Sequence, residues 1–287
     1  MTTGTSTLLR TLPNNIPASF LKQITDDFTP ERELGKGAFG IVYKGLLEDG
    51  MVIAVKKLGE NPPMTIEKTF NNEVVNLMAV QHENVVKLYL PKGSLNKYLF
   101  DESNIIDWDT RFKIVKGICR GLHFLHKEMD RPVVHMDLKP ENILLDGNMV
   151  PKIADFVLSR LFGQEQTRMH TQNIVGSLGY MAPEYLYRGE ISTQSDIYSL
   201  GLLIIQISTG EKNIPNAEDK CGKKFIEKVQ ENWAARHVTS KYASFDANRL
   251  QQIETCVEIG LQCVEHERKN RPSIVDILDK LDGNRSG

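Results

Sequence analysis

The stretch "SDIYSLGLLIIQIST", residues 195–209, is apolar almost all round at helical spacing. A surface helix keeps a polar face, so a helix of this kind has to be buried among other elements. The chain holds partners for it. "WDTRFKIVKGICRGLHFLHK" carries Phe112, Val115, Ile118, Leu122 and Leu125 on one helical stripe, and "RLQQIETCVEIGLQCV" and "SIVDILDKL" predict two more helices. With 287 residues, 40% apolar and 25% charged, there is material for one large domain or two lobes around a core of ordinary size. The formal charge of −2 is too small to argue for nucleic acid or an anionic membrane as partner. No apolar run approaches the roughly 18 residues that span a bilayer, so no transmembrane segment is expected. The opening "MTTGTSTLLRTLPNNIP" lacks the basic and apolar regions of a secretory signal. Cys119, Cys221, Cys256 and Cys263 form no CxxC pair or metal spacing. Cys256 and Cys263 read as core residues of one helix, and a reducing intracellular setting fits.

Before Pro91 the pattern differs. Residues 1–28 are a lead-in in which "ASFLKQITDDF" predicts one short helix. From Glu31 to Leu90 strands dominate, in "RELGKGAFGIVYKGLL", "MVIAVKKL" and "NVVKLYL". One amphipathic helix, "MTIEKTFNNEVVNLMAV", places Phe70, Val74, Leu77 and Met78 on a stripe. "EDG" at 48–50 is a hairpin turn, since Asp-Gly tolerates the positive φ that such turns need. After Pro91 the chain turns helical at "GSLNKYL", with Ser94 as its cap. The expected architecture is α+β and two-lobed: a small antiparallel-sheet lobe with one helix over 29–90, and a larger, mainly helical lobe over 91–284.

Gly35, Gly37 and Gly40 stand in "GKGAFGIV". Glycines there let backbone N–H groups approach a phosphate, because no Cβ intervenes. Coincidental turn glycines and a dinucleotide fingerprint share this spacing. The dinucleotide version needs a helix next, whereas "IVYKGLL" continues as a strand. In "IAVK", Ala54 and Lys56 share a face by alternation, a small residue and a cation beneath the flap. A solvated strand-end lysine is the plain alternative. Glu73 lies beside the apolar stripe of its helix, where a carboxylate is costly unless paired; Lys56 is the natural partner, and a surface glutamate the alternative. In "VVHMDLKPENILLD", Asp137 can accept a hydroxyl proton, Lys139 can neutralise a transferring phosphoryl group, and Asn142 can bind a metal through its amide oxygen. "KIADF" adds Asp155 at a strand end, suited to Mg²⁺. His135 reads as a packed histidine bonding backbone instead of a base or ligand.

These stretches, with "APE" at 182–184, occur in the order of the eukaryotic protein-kinase signature, and residues 29–284 resemble that family. "FLKQITDDFTPERELGKGAFGIVYKG" and "GSLGYMAPEYLYRGEISTQSDIYSLGLLIIQISTG" resemble plant receptor-like kinases, and "DLKPEN" resembles the serine/threonine type. The resemblance implies ATP and Mg²⁺ as cofactors, a protein Ser/Thr hydroxyl as acceptor, and a receptor or receptor-like kinase as partner. It implies a cytoplasmic site of action, at the inner face of the plasma membrane through that partner. Lys56 would contact the α/β-phosphates and pair with Glu73, Asp137 would be the catalytic base, and Lys139 the γ-phosphate contact. Asn142 and Asp155 would be the Mg²⁺ ligands. Gly35, Gly37 and Gly40 would cover the phosphates, and Val42, Ala54 and Leu144 would sandwich adenine. Asp196 would support the catalytic loop, and Arg271 would pair with Glu184.

Three departures from the family pattern carry expectations of their own. Met136 replaces the arginine that often precedes the catalytic aspartate, so a phosphate on the activation segment lacks its usual bidentate partner. The chain is similar to the non-arginine class. Its segment hydroxyls are Thr167, Thr171 and Ser177, and Ser177 is expected to shape the peptide-binding loop. Val157 stands where the metal-binding triplet ends in glycine; a β-branched residue disfavours positive φ there and would stiffen or displace the Asp155 loop. Last, "NVVKLYL" runs directly into "PKGSL". In the family a turn, a returning strand and a hinge intervene, roughly 15 residues given strands of about 5–6. The small lobe is therefore expected to lack a strand and the hinge backbone that bonds adenine. Two functional readings follow. One is an ATP-dependent protein serine/threonine kinase, which the phosphate- and metal-handling side chains support. The other is a catalytically impaired kinase-fold binding module (a pseudokinase, or a truncated splice or gene-model product), which the Leu90–Pro91 junction and Val157 support.

Overall fold

The computed structural model describes residues 17–37, 40–48, 50, 52–58, 82–85, 92–100, 106–162, 167–214, 218–234 and 244–283. The chain divides into two compact units. In the first, helix α1 (Ala18–Thr25) precedes an antiparallel sheet of β1 (Glu33–Gly37), β2 (Gly40–Leu46) and β3 (Val52–Leu58), in that order. The register sets Tyr43 opposite Val55 and Gly45 opposite Ile53, so all four share a face, and α1 covers it. Ile24, Tyr43 and Val55 are buried there. Gly45 permits the close approach, because a Cβ at that position would stand 3.1 Å from Ile24 Cδ1. The short helix expected in the lead-in thus packs on the sheet that follows it.

After α1 come three successive left-handed residues, Asp26, Asp27 and Phe28, with φ between 52° and 58°. Such backbone costs about 1–2 kcal/mol per residue. Compensating contacts hold it: the Asp27 N–H donates to the Lys22 carbonyl at 2.7 Å and the Phe28 N–H to the Thr25 hydroxyl at 3.3 Å. The Phe28 ring meets Tyr43 edge-on at 5.2 Å, with the Lys57 ammonium 4.9 Å from its centre. Asp49 of the expected hairpin turn lies outside the described residues, while Leu47 and Gly50 on either side are described. Gly50, at φ +82°, donates its N–H to the Leu47 carbonyl at 2.9 Å. The helix expected over 64–80, with Glu73, and the junction at Leu90–Pro91 lie outside the described residues.

The second unit runs α2 (Asn96–Leu99), α3 (Trp108–His123), β4 (Val133–Val134), β5 (Ile143–Leu145), β6 (Pro151–Ile153), β7 (Arg160–Leu161), β8 (Met169–His170), α4 (Pro183–Arg188), β9 (Glu190–Ile191), α5 (Thr193–Thr209), α6 (Lys223–Ala234), α7 (Ala247–Cys263) and α8 (Ile274–Leu281). Helix α5 is the one that is apolar all round, and every residue from Ser195 to Thr209 is buried. α7 crosses it at a pair of glycines. A Cβ on Gly201 would lie 2.8 Å from the Gly260 carbonyl oxygen and 2.6 Å from Cys263 Cβ, so only glycine allows this contact. Cys256 and Cys263 line the interior face of α7, where burial pushes both thiols up to about 12. α3 supplies Ile114, Val115, Ile118 and Leu122 to the core and is tied to α7 by the Trp108 indole N–H, which donates to Gln252 Oε1 at 2.9 Å. A π turn over Phe124–Glu128 follows α3 and buries Leu125 and His126.

Ser94 does not cap a helix. The chain is still paired as a strand there, bridging Leu144, and α2 begins two residues later behind Leu95. The Leu95 N–H donates to the Ile143 carbonyl at 2.7 Å and the Leu145 N–H to the Gly93 carbonyl at 2.9 Å. On the far edge of the β5–β6 hairpin, Val85 bridges Ile153, whose N–H donates to the Asn84 carbonyl at 2.8 Å. Residues 84–85 and 93–95 therefore flank the same hairpin on opposite edges.

Candidate active site

The site in the second unit is built outward from Asp196, in the first turn of α5 and without solvent exposure. Its Oδ2 accepts the His135 N–H at 2.7 Å and lies 2.9 Å from His126 Nε2, while Oδ1 accepts the Met136 N–H at 2.8 Å. One carboxylate thus holds two consecutive backbone donors, and Met136, the second of them, is left-handed at φ +70°. The π turn after α3 is what brings His126 to this carboxylate. His135 is a packed histidine, as its sequence context suggests. Its Nε2 donates to the Ala154 carbonyl at 2.9 Å and its Nδ1 accepts the Asp137 N–H at 3.2 Å, a pattern that assigns the ring proton to Nε2. The Phe156 ring closes on it edge-on at 4.8 Å.

Asp137 leaves that loop almost wholly buried. The Ser177 hydroxyl donates to its Oδ1 at 2.7 Å. The Asn142 amide nitrogen donates to its Oδ2 and to its backbone carbonyl, both at 2.8 Å. Lys139 Nζ stands 3.2 Å from Oδ2 and donates to the Ser177 hydroxyl at 2.5 Å. Burial alone works against charge on Asp137, but the Lys139 ammonium, the Ser177 hydroxyl and His135 outweigh it. The carboxyl is held below its ordinary value, so at neutral pH it is an oriented, ionised proton acceptor. Ser177, expected from the sequence to shape the peptide-binding loop, is the member whose contact with Asp137 was not foreseen. It lies 40 positions from Asp137, and only the "GSLG" context before "APE" marks it off from any other loop serine.

Asn142 and Asp155 come together through the β5–β6 register. Ile143 faces Ile153, which sets Asn142 opposite Ala154, and the Ala154 N–H donates to the Asn142 carbonyl at 2.9 Å. Asp155 follows directly. Because Asp137 engages the Asn142 amide nitrogen, the amide oxygen is the arm left for a cation. Among the described residues no group of three His, Cys, Asp or Glu side chains could hold a metal. One carboxylate and one amide oxygen suit a hard divalent ion that takes its remaining ligands from phosphates and water. The expected strain at Val157 is absent: it lies in the 3₁₀ turn Phe156–Leu158 with ordinary φ. The left-handed residue is Asp155, at φ 66° and ψ 70°, a region aspartate tolerates better than a β-branched side chain.

In the first unit, Val42 pairs directly with Lys56 and Lys44 with Ala54, so Val42, Ala54 and Lys56 share the face opposite α1. Gly37 pairs with Gly40 where β1 turns into β2. Gly40 has φ +149°, which favours glycine, and a Cβ on Gly35 would meet nothing within 4 Å. Leu144 belongs to the second unit, half-buried in β5 between Lys152 and Ser94. Glu73 lies outside the described residues.

Below the site, Arg271 and Glu184 form a buried bidentate pair with both N···O distances 2.7 Å. Arg271 also donates to the carbonyls of Glu265, Gln194 and His266 and lies 4.9 Å from the Tyr198 ring centre. No helix among the described residues is long and apolar enough to cross a membrane.

Comparison with known proteins agrees with this geometry. Residues 28–281 match the family model described as protein kinase domain. Cysteine-rich receptor-like protein kinase 26 of Arabidopsis thaliana is 40% identical, over 92% of this chain and 43% of its own length. A G-type lectin S-receptor-like serine/threonine-protein kinase of the same plant is 39% identical, over 88% of this chain and 32% of its own. Cysteine-rich receptor-like protein kinase 6 of Oryza sativa subsp. japonica is 37% identical, over 92% and 41%. The chain thus spans about a third to two fifths of these relatives' length. The first alignment runs over 291 positions, more than the 287 residues of the chain, so that relative carries residues with no counterpart here. With the family model matching residues 28–281 of the 287, the chain belongs to the protein kinase domain family.

Proposed function

We propose that the chain is an ATP-dependent protein serine/threonine kinase that transfers the γ-phosphoryl group of Mg·ATP to a protein hydroxyl. The observation that carries this reading is the ionised, nearly buried Asp137, with Lys139 and Ser177 on one side and Asn142 on the other. Phosphoryl transfer needs little covalent help from the protein. It needs an oriented acceptor for the hydroxyl proton and fixed positive charge for the phosphoryl oxygens.

In this reading the acceptor oxygen bonds to the γ-phosphorus, its proton passes to an Asp137 carboxylate oxygen, and the bond to the β–γ bridging oxygen breaks to release ADP. Lys139 neutralises charge on the group in transit. Asn142 and Asp155 would hold Mg²⁺, which when bound would offset the charge of the phosphates. By the kinase resemblance Lys56, with Glu73 as its partner, would hold the α/β-phosphates under the Gly35–Gly37–Gly40 flap, and Val42, Ala54 and Leu144 would contribute to the adenine site. The protein substrate presents Ser or Thr, and a receptor or receptor-like kinase is the partner that the relatives' names suggest, with the inner face of the plasma membrane the place that the kinase resemblance implies. Asp155→Asn tests the metal assignment. It should abolish Mg²⁺-dependent transfer to a Ser/Thr peptide by the purified protein, and equal activity in variant and parent would remove Asp155 from the metal site.

A further inference from the structure

The loop that carries Ser177 is anchored at several points. Downstream, the Gly179 N–H donates to the Lys220 carbonyl at 2.7 Å, its carbonyl accepts from Asn213 Nδ2 at 2.9 Å, and the Tyr180 carbonyl accepts from the Ser199 hydroxyl at 2.7 Å. Upstream, β8 pairs with β9, and the Thr171 N–H donates to the Gly189 carbonyl at 3.0 Å. Between these points the chain meets the body of the unit at Val175. There the hydroxyl of Tyr185, a buried residue of α4, accepts the Val175 N–H at 2.8 Å and donates to the Val175 carbonyl at 2.7 Å. Both hydrogen-bonding groups of one residue are thus taken by one side-chain oxygen, two positions before the hydroxyl that touches Asp137 and Lys139.

We propose that Tyr185 is a positioning residue for phosphoryl transfer, its hydroxyl fixing the backbone that presents Ser177 to Asp137 and Lys139. The proposal rests on the kinase reading of this site. Met136 offers no charge that a phosphate on Thr167 or Thr171 could organise, and Tyr185 acts instead through a neutral group. Burial pushes its hydroxyl above the usual tyrosine range, so it keeps the proton it donates to Val175. The hold is therefore built into the unmodified chain.

Tyr185→Phe keeps the buried ring and removes only the oxygen, so the fold should persist, as an unchanged exchange pattern in α5 would verify. Three quantities decide the matter in the full chain: hydrogen exchange over residues 173–178, affinity for a fluorescent ATP analogue with Mg²⁺, and kcat for a Ser/Thr peptide. The expected result is exchange at least tenfold faster over 173–178 and kcat at least tenfold lower, with nucleotide affinity within twofold of the parent. Unchanged exchange over 173–178 overturns the proposal, and so does a fall in kcat matched by an equal fall in nucleotide affinity. A parent that transfers no phosphate, and still transfers none when a relative's segment is supplied between Leu90 and Pro91, counts against the kinase reading. The exchange arm then still decides the Tyr185 anchor, faster exchange supporting it and parental exchange overturning it.

Discussion

Asp137 shows how a few neighbours set the state of one residue. Burial by itself would favour the neutral carboxylic acid, and the balance is reversed by Lys139, Ser177 and His135. Ser177→Ala removes one of the groups that hold the carboxyl low, so its pKa should rise. The ionised form is then lost at a higher pH: the acid limb of kcat/KM should move upward, with kcat reduced tenfold or more, about 1.4 kcal/mol of barrier. A pH–rate profile that superimposes on the parent's would contradict the hydrogen bond's role. The sequence displayed Asp137, Lys139, Asn142 and Asp155 plainly, because a loop and one hairpin bring these near neighbours together. Tyr185 was not legible, and Ser177 was legible only as shaping the peptide-binding loop. Their hydroxyls reach the site only through tertiary packing, and a serine or tyrosine hydroxyl carries no periodic signal.

At the scale of elements, patterning sufficed where burial was complete. The all-apolar α5 is enclosed, and α3, α7 and α8 lie where their stripes place them. Single-residue backbone arguments transferred less well. Val157 was expected to resist a left-handed backbone, yet the chain puts that conformation on Asp155 and Met136. At Met136 the cost of about 1–2 kcal/mol is offset by the Asp196 carboxylate that accepts its N–H. Ser94 failed as a cap because strand pairing continued through it, a tertiary choice invisible to local sequence. The Glu184–Arg271 pair joins α4 to the segment before α8 and has an energetic consequence. Glu184→Gln leaves the buried guanidinium without its counter-charge, which costs about 3–5 kcal/mol. The midpoint of thermal unfolding should fall by roughly 10 °C, at about 2–4 °C per kcal/mol for a protein of this size. A fall of a degree or less would show that the three backbone carbonyls around Arg271 suffice.

For the whole molecule, the β5–β6 hairpin constrains the junction at Leu90–Pro91. Val85 and Ser94 bridge its opposite edges, three strand spacings or about 14 Å apart. Nine steps of chain join them and extend to about 30 Å at most. A strand out and a strand back of about 17–20 Å each would need more chain than that. The chain as it stands is therefore expected to bind Mg·ATP weakly, because so short a junction is expected to leave out the hinge backbone that would bond adenine. Nucleotide at 100 times its dissociation constant stabilises a competent kinase by about 2.7 kcal/mol, a rise of roughly 5–10 °C in melting temperature. This chain should show a shift near zero, and a version carrying a relative's strand–turn–strand–hinge segment between Leu90 and Pro91 should show several degrees. A full shift in the unaltered chain would show that the short junction is tolerated.

The central claim is that the Asp137 cluster transfers phosphate to Ser/Thr hydroxyls, and phosphoamino-acid analysis tests it most directly. The version with the junction segment supplied, and the same version with Asp137→Asn, would each be incubated with Mg²⁺, γ-labelled ATP and a peptide containing Ser, Thr and Tyr. General-base groups contribute about 10²–10⁴-fold. The account predicts label on phosphoserine and phosphothreonine in the first, and at least 100-fold less in the second, on that scale. Equal labelling in both, or label on tyrosine alone, would contradict it.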